Sequence, residues 1–164
     1  MPVKRFGDWN KAKAKLAGNP GMRMTLAIRK ATIKNALLLV REIKRGIRDQ
    51  APGGKQFVPL AQVTIDRKKS SKALIDTGFL VDSITQKIME DQAFIGLLKT
   101  SAYKDGEGES VANIGAIMEY GYSIETPSGT VVIIPPRPFL HPTMEKYRDE
   151  IIENYRLALG SVFM

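Results

Sequence analysis

The segment from residue 22 to residue 49 constrains the fold most, because its apolar residues recur at helical spacing. The chain stops this pattern at Ala51-Pro-Gly-Gly54, which is typical of a helix end. The pattern predicts a long helix whose apolar face joins the core of its own domain rather than a coiled coil. That face is built from residues seven apart and their neighbours: Leu26, Ile33, Ala36, Leu37, Val40, Ile43 and Ile47.

The rest of the chain predicts alternating hairpins and helices. Residues 50–76 are rich in Pro, Gly, Lys and Ser and predict a long protruding loop. The expected fold is α+β, with a mostly antiparallel curved sheet of about four strands packed against long N-terminal and C-terminal helices. The predicted elements are a hairpin from residues 84–89 and 93–98, a short helix over 111–120, a second hairpin from 122–126 and 130–134, and a closing helix near Pro142.

Positive charge is concentrated in the N-terminal third. Residues 1–48 hold 13 Lys or Arg against two acidic residues, a balance of +11, whereas the whole chain carries +8. Because Gly18-Asn-Pro-Gly21 breaks the chain, we expect residues 1–21 to form a basic arm and residues 22–164 a single domain. The charge indicates a nucleic acid, a membrane surface or an acidic protein as partner, or simply a solvated helix face. Candidate interface or DNA-facing residues are Trp9, Arg41, Lys44, Arg45, Arg48, Arg67, Lys68 and Lys69.

The sequence offers little for catalysis or metal binding. His141 is the sole histidine and there is no cysteine, which excludes a histidine cluster, thiolate chemistry and disulfides. Asp105-Gly-Glu-Gly-Glu109 begins like a calcium-binding loop, but Ser110 and Ala116 stand at its sixth and twelfth positions. The apolar run Ala36–Val40 is far shorter than the roughly 20 residues that span a bilayer. We therefore expect a protein that is not an enzyme, needs no cofactor or metal and has no membrane partner.

Four short motifs follow one another between residues 40 and 145. Within them, Asp76 and Gly78 are turn residues, and glycine takes positive φ without steric cost. Leu80 and Ile84 are expected to be buried, and Phe139 is expected to be an apolar anchor. The motifs are Gly54-Lys-Gln-Phe-Val-Pro-Leu-Ala-Gln-Val-Thr-Ile-Asp-Arg-Lys68, Leu74-Ile-Asp-Thr-Gly-Phe-Leu-Val-Asp-Ser-Ile84, Ile117-Met-Glu-Tyr-Gly121 and Arg137-Pro-Phe-Leu140. Their characteristic residues are Phe57, Pro59, Leu60, Thr64, Leu74, Thr77, Gly78, Leu80, Ser83, Ile84, Glu119, Gly121, Arg137, Pro138, Phe139 and Leu140.

In this order and at this separation, the motifs resemble the tail-completion and virion-morphogenesis proteins of tailed bacteriophages. Phe57 stands where the family pattern usually has Trp, and Ala61 stands where it has Ser. The resemblance implies a structural virion protein at the head–tail junction, assembled in the bacterial host cytoplasm. Such a tail-completion or neck component forms a ring that joins head to tail around the DNA exit channel.

The resemblance also implies the partners. They are further copies of the same chain, neighbouring neck or head-adaptor proteins, and tail-terminator or tail-tube proteins, with non-specific contact to phage DNA left open. The alternative, based on charge alone, is a non-specific nucleic-acid-binding protein that uses the basic N-terminal third.

Overall fold

The computed structural model describes residues 7–8, 10, 13, 18–90, 92–99, 110–127 and 129–163, the last residue without its side chain. Trp9 and most of the arm 1–21 lie outside the described residues. From residue 18 onwards the fold is α+β, as predicted. Its elements are α1 Pro20–Arg48, a 3-10 turn Pro52–Gly54, α2 Gln62–Lys68, α3 Phe79–Asp82, β1 Ile84–Met89, β2 Gln92–Leu97, α4 Val111–Tyr120, β3 Tyr122–Glu125, β4 Val131–Ile134 and α5 His141–Phe163.

Helix α1 begins and ends close to its predicted bounds. The side-chain oxygen of Asn19 accepts a hydrogen bond from the Met22 N–H at 3.2 Å, and Pro20 opens the first turn. Both are favoured at helix beginnings, because the first N–H groups have no partner within the helix. No helix among the described residues is long and apolar enough to cross a membrane.

Helices α1 and α5 pack antiparallel through polar as well as apolar contacts. Three hydrogen-bonded pairs join buried or half-buried polar side chains across this interface, which offsets the cost of removing them from water. The pairs are Thr32 with Tyr155 at 2.9 Å, Asn35 with Asn154 at 2.7 Å, and Glu42 with Tyr147 at 2.7 Å. Residue numbers rise along α1 as they fall along α5, so the two helices are antiparallel.

The buried face of α1 is rotated from the predicted one. Leu26, Ile33 and Leu37, expected in the core, are 48%, 37% and 53% exposed. The prediction fails here because polar residues of α1 find hydrogen-bond partners on α5, which apolar periodicity cannot reveal. An exposed apolar row therefore remains on the N-terminal half of α1. The buried face is Ala31, Thr32, Asn35, Ala36, Leu39, Glu42, Ile43, Gly46 and Ile47.

The core lies where α1 meets β1 and the chain entering α5. Phe139 is completely buried there, as expected of an apolar anchor, and Leu80 and Ile84 are buried as predicted. Leu140 and Phe57 are partly buried against the same cluster. The central cluster consists of Leu39, Ile43, Ile47, Val81, Ile84 and Phe139.

The four strands form two separate hairpins rather than the single curved sheet expected from the sequence. β1 pairs with β2 from Ile84↔Leu97 to Met89↔Gln92. β3 pairs with β4 from Tyr122↔Ile134 to Glu125↔Val131. No ladder joins the two pairs within the part of the chain that is described. Strand positions follow from local pattern, whereas the partition into sheets depends on contacts between segments that are distant in sequence.

The segment 50–76, predicted as an irregular loop, contains the 3-10 turn and α2. Its ends are held by Gln50, whose side-chain amide donates to Ala73 O at 3.0 Å and accepts from Ala73 N at 2.5 Å. Ala73 is buried, and Leu74 and Ile75 pack against the core. Helix α2 has no buried residue. Only the part around α2 therefore protrudes, while the flanks cover the core.

Candidate functional site

Arg137 holds the first motif against the fourth. Its Nε donates to Val58 O at 2.8 Å, and its terminal nitrogens donate to Pro59 O at 2.9 Å and Pro135 O at 3.4 Å. Burial lowers the pKa of Arg137 relative to a free arginine, but a guanidinium remains charged at neutral pH. The planar guanidinium group of Arg137 donates to two neighbouring carbonyl oxygens at once, so it fixes the path of the chain at Val58 and Pro59.

Glu119 joins the third motif to the fourth. One carboxylate oxygen accepts from the Phe139 N–H at 2.8 Å and the Leu140 N–H at 3.0 Å, and the other accepts from the His141 N–H at 2.9 Å. These N–H groups precede or open α5 and have no partner inside the helix. A buried carboxylate at this end also interacts favourably with the helix dipole. Glu119 is thus a structural acid that fixes the start of α5.

Two motif glycines occupy backbone conformations that other residues rarely adopt. Gly78 has φ +88° just before α3, and Gly121 has φ +77° just after α4. A Cβ on Gly121 would lie 3.0 Å from the Ile134 carbonyl oxygen and from the Pro136 ring. The third motif therefore approaches β4 more closely than a side chain would permit.

An open cleft of about 850 Å³ lies between α2, the start of α3, α4 and β4. Its wall is mostly apolar, with Arg67, Lys68 and Asp76 supplying charge at the surface. Residues from all four motifs meet here although they are far apart in sequence, and Met118 represents the third motif. The motif residues in its wall are Pro59, Leu60, Thr64, Leu74, Thr77, Gly78, Leu80 and Arg137.

Strand β4 presents its edge to this cleft. Four consecutive residues, Val132 to Pro135, line the wall, whereas a strand that faces a cleft with one side contributes alternate residues. Within the described residues β4 has a single strand neighbour, β3, so its second edge lacks a strand partner. Ile133 is 72% exposed. An apolar edge of this kind is a template for pairing with another chain.

The other motif residues lie behind the cleft. Ile84 and Phe139 belong to the core, and Ser83, Pro138 and Leu140 are half-buried. They position the residues that line the cleft rather than lining it themselves. Of the motif residues, those available to a partner therefore lie mainly in the cleft wall, and the buried ones pack behind it.

The basic candidates fall into two groups. Arg67 and Lys68 lie at the cleft, and Lys69 follows α2 with a left-handed backbone. On α1, three of the four candidates make intramolecular contacts, so they do not form an unobstructed row of cations. These contacts are Arg41 with Glu42 at 2.7 Å, Arg45 with Asp49 at 3.5 Å and Lys44 with the carbonyl of Asp82 at 3.4 Å; Arg48 is exposed.

Sequence reasoning missed several cleft residues, including Phe79, Ile114 and Met118. The sequence offered one signal for the cleft, at β4, where the four apolar residues Val131–Ile134 lack the alternation of a strand with one solvent-exposed face.

Among the described residues, no group of three or more His, Asp or Glu side chains could hold a metal ion. Comparison of the chain with protein-family models, curated proteins and solved structures finds no match.

Proposed function

We propose that this chain is a structural virion protein of a tailed phage, without enzymatic activity. It is a tail-completion or neck component whose ring joins head to tail around the DNA exit channel. The observation that carries the proposal is the interlocking of the four motifs. Arg137 binds the first motif and Glu119 ties the third to the fourth, while the second lines the same cleft. Motifs that contact one another in a single frame are better explained as one structural unit than as four separate chance resemblances, and this supports the family resemblance.

Exposed apolar surfaces support an assembly role. The β3–β4 hairpin is exposed along nearly its whole length, and a lone two-stranded hairpin is only marginally stable in water. The N-terminal half of α1 carries a second apolar surface, formed by Met22, Leu26, Ile33 and Leu37. Soluble monomers rarely expose large contiguous apolar patches. Covering them by neighbouring subunits, in a contact repeated by a closing rotation, gives a ring.

The larger antiparallel sheet expected from the sequence would form between subunits of the assembly rather than within one chain. Each hairpin has two strands, and β4 has an open edge at the cleft. Pairing across subunit boundaries would extend the hairpins into a larger antiparallel sheet. The two ends of the ring would then meet the neck or head-adaptor proteins on one side and the tail-terminator or tail-tube proteins on the other.

Size-exclusion chromatography with light scattering on the full chain tests the proposal. We expect one species whose mass is a fixed multiple of the chain mass over a wide range of protein concentrations. A monomer at every concentration would contradict the ring.

A second candidate is a non-specific nucleic-acid-binding protein. The observation in its favour is the charge of α1, which has eight basic residues and one acidic residue. Phosphate contacts release counterions, so log affinity should fall linearly with log salt, by about 0.9 per phosphate contacted. A monomer that binds two unrelated duplexes equally and with this salt dependence favours the second candidate over the ring.

A further inference from the structure

The β3–β4 hairpin has an open edge on each side. Within the described residues each strand has the other as its single strand neighbour, and all four residues of β3 are exposed. No backbone hydrogen bond to another described segment uses a residue of β3 or β4. The outer N–H and C=O groups of both strands are therefore available to further strands, one on either side of the hairpin.

The turn of the hairpin determines which residues direct their backbone groups outwards. The Thr126 N–H donates to the Thr130 carbonyl at 2.9 Å, so these two residues form a hydrogen-bonded pair. Such pairs alternate with non-hydrogen-bonded pairs along an antiparallel ladder. The next hydrogen-bonded pairs are therefore Ile124↔Val132 and Tyr122↔Ile134. The residues whose N–H and C=O groups point to the outer edges are Ser123 and Glu125 on β3 and Val131 and Ile133 on β4.

The outer edge of β3 matches the outer edge of β4 in length and in the spacing of its free groups. Both strands have four residues. An antiparallel alignment with Ser123 opposite Ile133 also places Glu125 opposite Val131, and each of these pairs can exchange two hydrogen bonds. A shift by two residues in either direction would leave a single such pair. One register therefore satisfies both edges completely.

Charge favours β3, rather than a second β4, as the strand that enters the cleft. The cleft wall along β4 carries Arg67 and Lys68 against Asp76, a net positive charge. Pairing β4 with β4 of another copy would bring two such walls together, and like charges weaken association. β3 instead brings Glu125, the only charged residue between positions 121 and 134, which has the opposite sign.

We propose that β3 of one subunit pairs antiparallel with the open edge of β4 in the adjacent subunit. Ser123 lies opposite Ile133, and Glu125 faces the basic wall of the cleft. Main-chain hydrogen bonds supply the affinity of such strand addition, and the opposite charges help to fix its register. The inference rests on the proposed ring, because the occupant is a second copy of this chain.

The proposed contact propagates in one direction around an axis. It joins two different edges of the hairpin, so it is heterologous and generates a ring when its rotation closes. Rotation about an axis that runs roughly along the strands leaves every β3 pointing one way and every β4 the other. Pairing between subunits is then antiparallel, like pairing within the hairpin. A closed ring of this kind leaves neither edge exposed, which removes a template for aggregation.

Introduced cysteines test the contact and its register, because the chain has no cysteine of its own. One variant carries Ser123→Cys and the other Ile133→Cys, and the two are expressed together and oxidised. In the proposed register the two positions face each other across the subunit boundary with Cα atoms about 5.5 Å apart, which a disulfide can bridge. We expect a linked dimer on non-reducing gels from the mixture and from neither variant alone. Each chain holds one thiol, so the link cannot form within a hairpin.

The matched control exchanges Ile133→Cys for Val132→Cys. These neighbouring positions point to opposite faces of β4, and both side chains are exposed, by 72% and 44%, so neither change disturbs the core. Ser123→Cys should not link to Val132→Cys, and equal linking of the two would overturn the proposal. Linking of Val131→Cys with Ile133→Cys instead would show β4 paired with β4 of another copy and would also overturn it.

Charge exchange tests the position of Glu125. A variant with Arg67→Glu and Lys68→Glu should assemble at least about tenfold more weakly than the wild type, and so should Glu125→Lys. The chain with all three changes should assemble better than either, because opposite charges meet again. A combined variant no better than its parents would contradict the placement of Glu125. The control reverses two exposed cations outside the cleft, Lys87→Glu and Arg148→Glu, and should assemble like the wild type.

Light scattering on the wild type separates failure of this contact from failure of the ring. The expected result is a wild-type ring together with a disulfide between Ser123→Cys and Ile133→Cys chains. If the wild type forms a ring but these chains do not link, the strand contact fails while the ring stands. If the wild type is a monomer at every concentration, the ring and the contact both fail.

Discussion

Replacing Glu119 removes the carboxylate that fixes the start of α5. In Glu119→Ala, the N–H groups of Phe139, Leu140 and His141 lose their acceptors at 2.8, 3.0 and 2.9 Å. Glu119 is only 6% exposed, so water replaces these bonds poorly. Glu119→Gln is the closer isostere. Its single carbonyl oxygen can keep the two N–H groups of Phe139 and Leu140, but its amide then faces the His141 N–H, donor against donor.

The expected magnitude follows from these three bonds. An unsatisfied buried donor costs about 1–3 kcal/mol, and a hydrogen bond to a charged group is worth about 1 kcal/mol more than a neutral one. Glu119→Gln leaves one donor unsatisfied and neutralises two charged bonds, which sums to about 3–5 kcal/mol. Glu119→Ala leaves three donors but opens space for water, so we expect about 3–5 kcal/mol rather than the full sum.

Urea titration followed by circular dichroism measures both costs, with an unchanged dependence on denaturant as the check that the transition stays two-state. Glu145→Gln is the matched control, because Glu145 is an exposed carboxylate on α5 whose ion pair with Lys55 lies at the surface, where such pairs contribute little, so the midpoint should shift little. A cost below about 1 kcal/mol for Glu119→Ala, within the range of ordinary surface changes or weak hydrogen bonds, would refute the capping argument.

Three further changes follow from the same structure. Phe139→Ala should cost about 3–5 kcal/mol in a denaturant titration, because the ring is completely buried; a cost under about 1 kcal/mol would contradict its place in the core. Arg137→Lys should cost about 1–2 kcal/mol, since an ammonium cannot bind both carbonyls as a fork, and should speed amide exchange around Val58; unchanged exchange would contradict the clamp. The Tyr147 hydroxyl and Arg41 lower the pKa of Glu42, so its stabilisation is complete above the unfolded pKa and is lost as pH falls through the lower, folded pKa. Glu42→Gln should flatten the acid-side loss of thermal stability; an unaltered pH profile would contradict the linkage.

Local sequence signals predict the elements better than they predict how the elements meet. The spacing of its apolar residues and the stop at Ala51-Pro-Gly-Gly54 locate α1, and short runs of β-favouring residues separated by turn residues locate both hairpins. Helix α2 escapes prediction because Val63, Thr64 and Ile65 are β-branched, which lowers helix propensity.

Tertiary contacts explain the remaining differences. Polar residues of α1 face α5 because their hydrogen-bond partners lie there, so the buried face is not the most apolar one. Arg137 binds main-chain carbonyls, and such acceptors leave no trace in the identity of the residues that carry them. The cleft likewise forms only when segments distant in sequence meet. Its edge strand is visible in the sequence as the unalternated run Val131–Ile134, and Arg67 and Lys68 are among the predicted interface residues, but nothing in either segment shows that the two meet.

Single-particle electron microscopy of the purified full chain tests the central claim most directly. The account predicts closed rings of one rotational symmetry around an open channel, with the edge of β4 at the contact between adjacent subunits. Isolated monomers, isologous dimers that leave this edge exposed, or open filaments would contradict it.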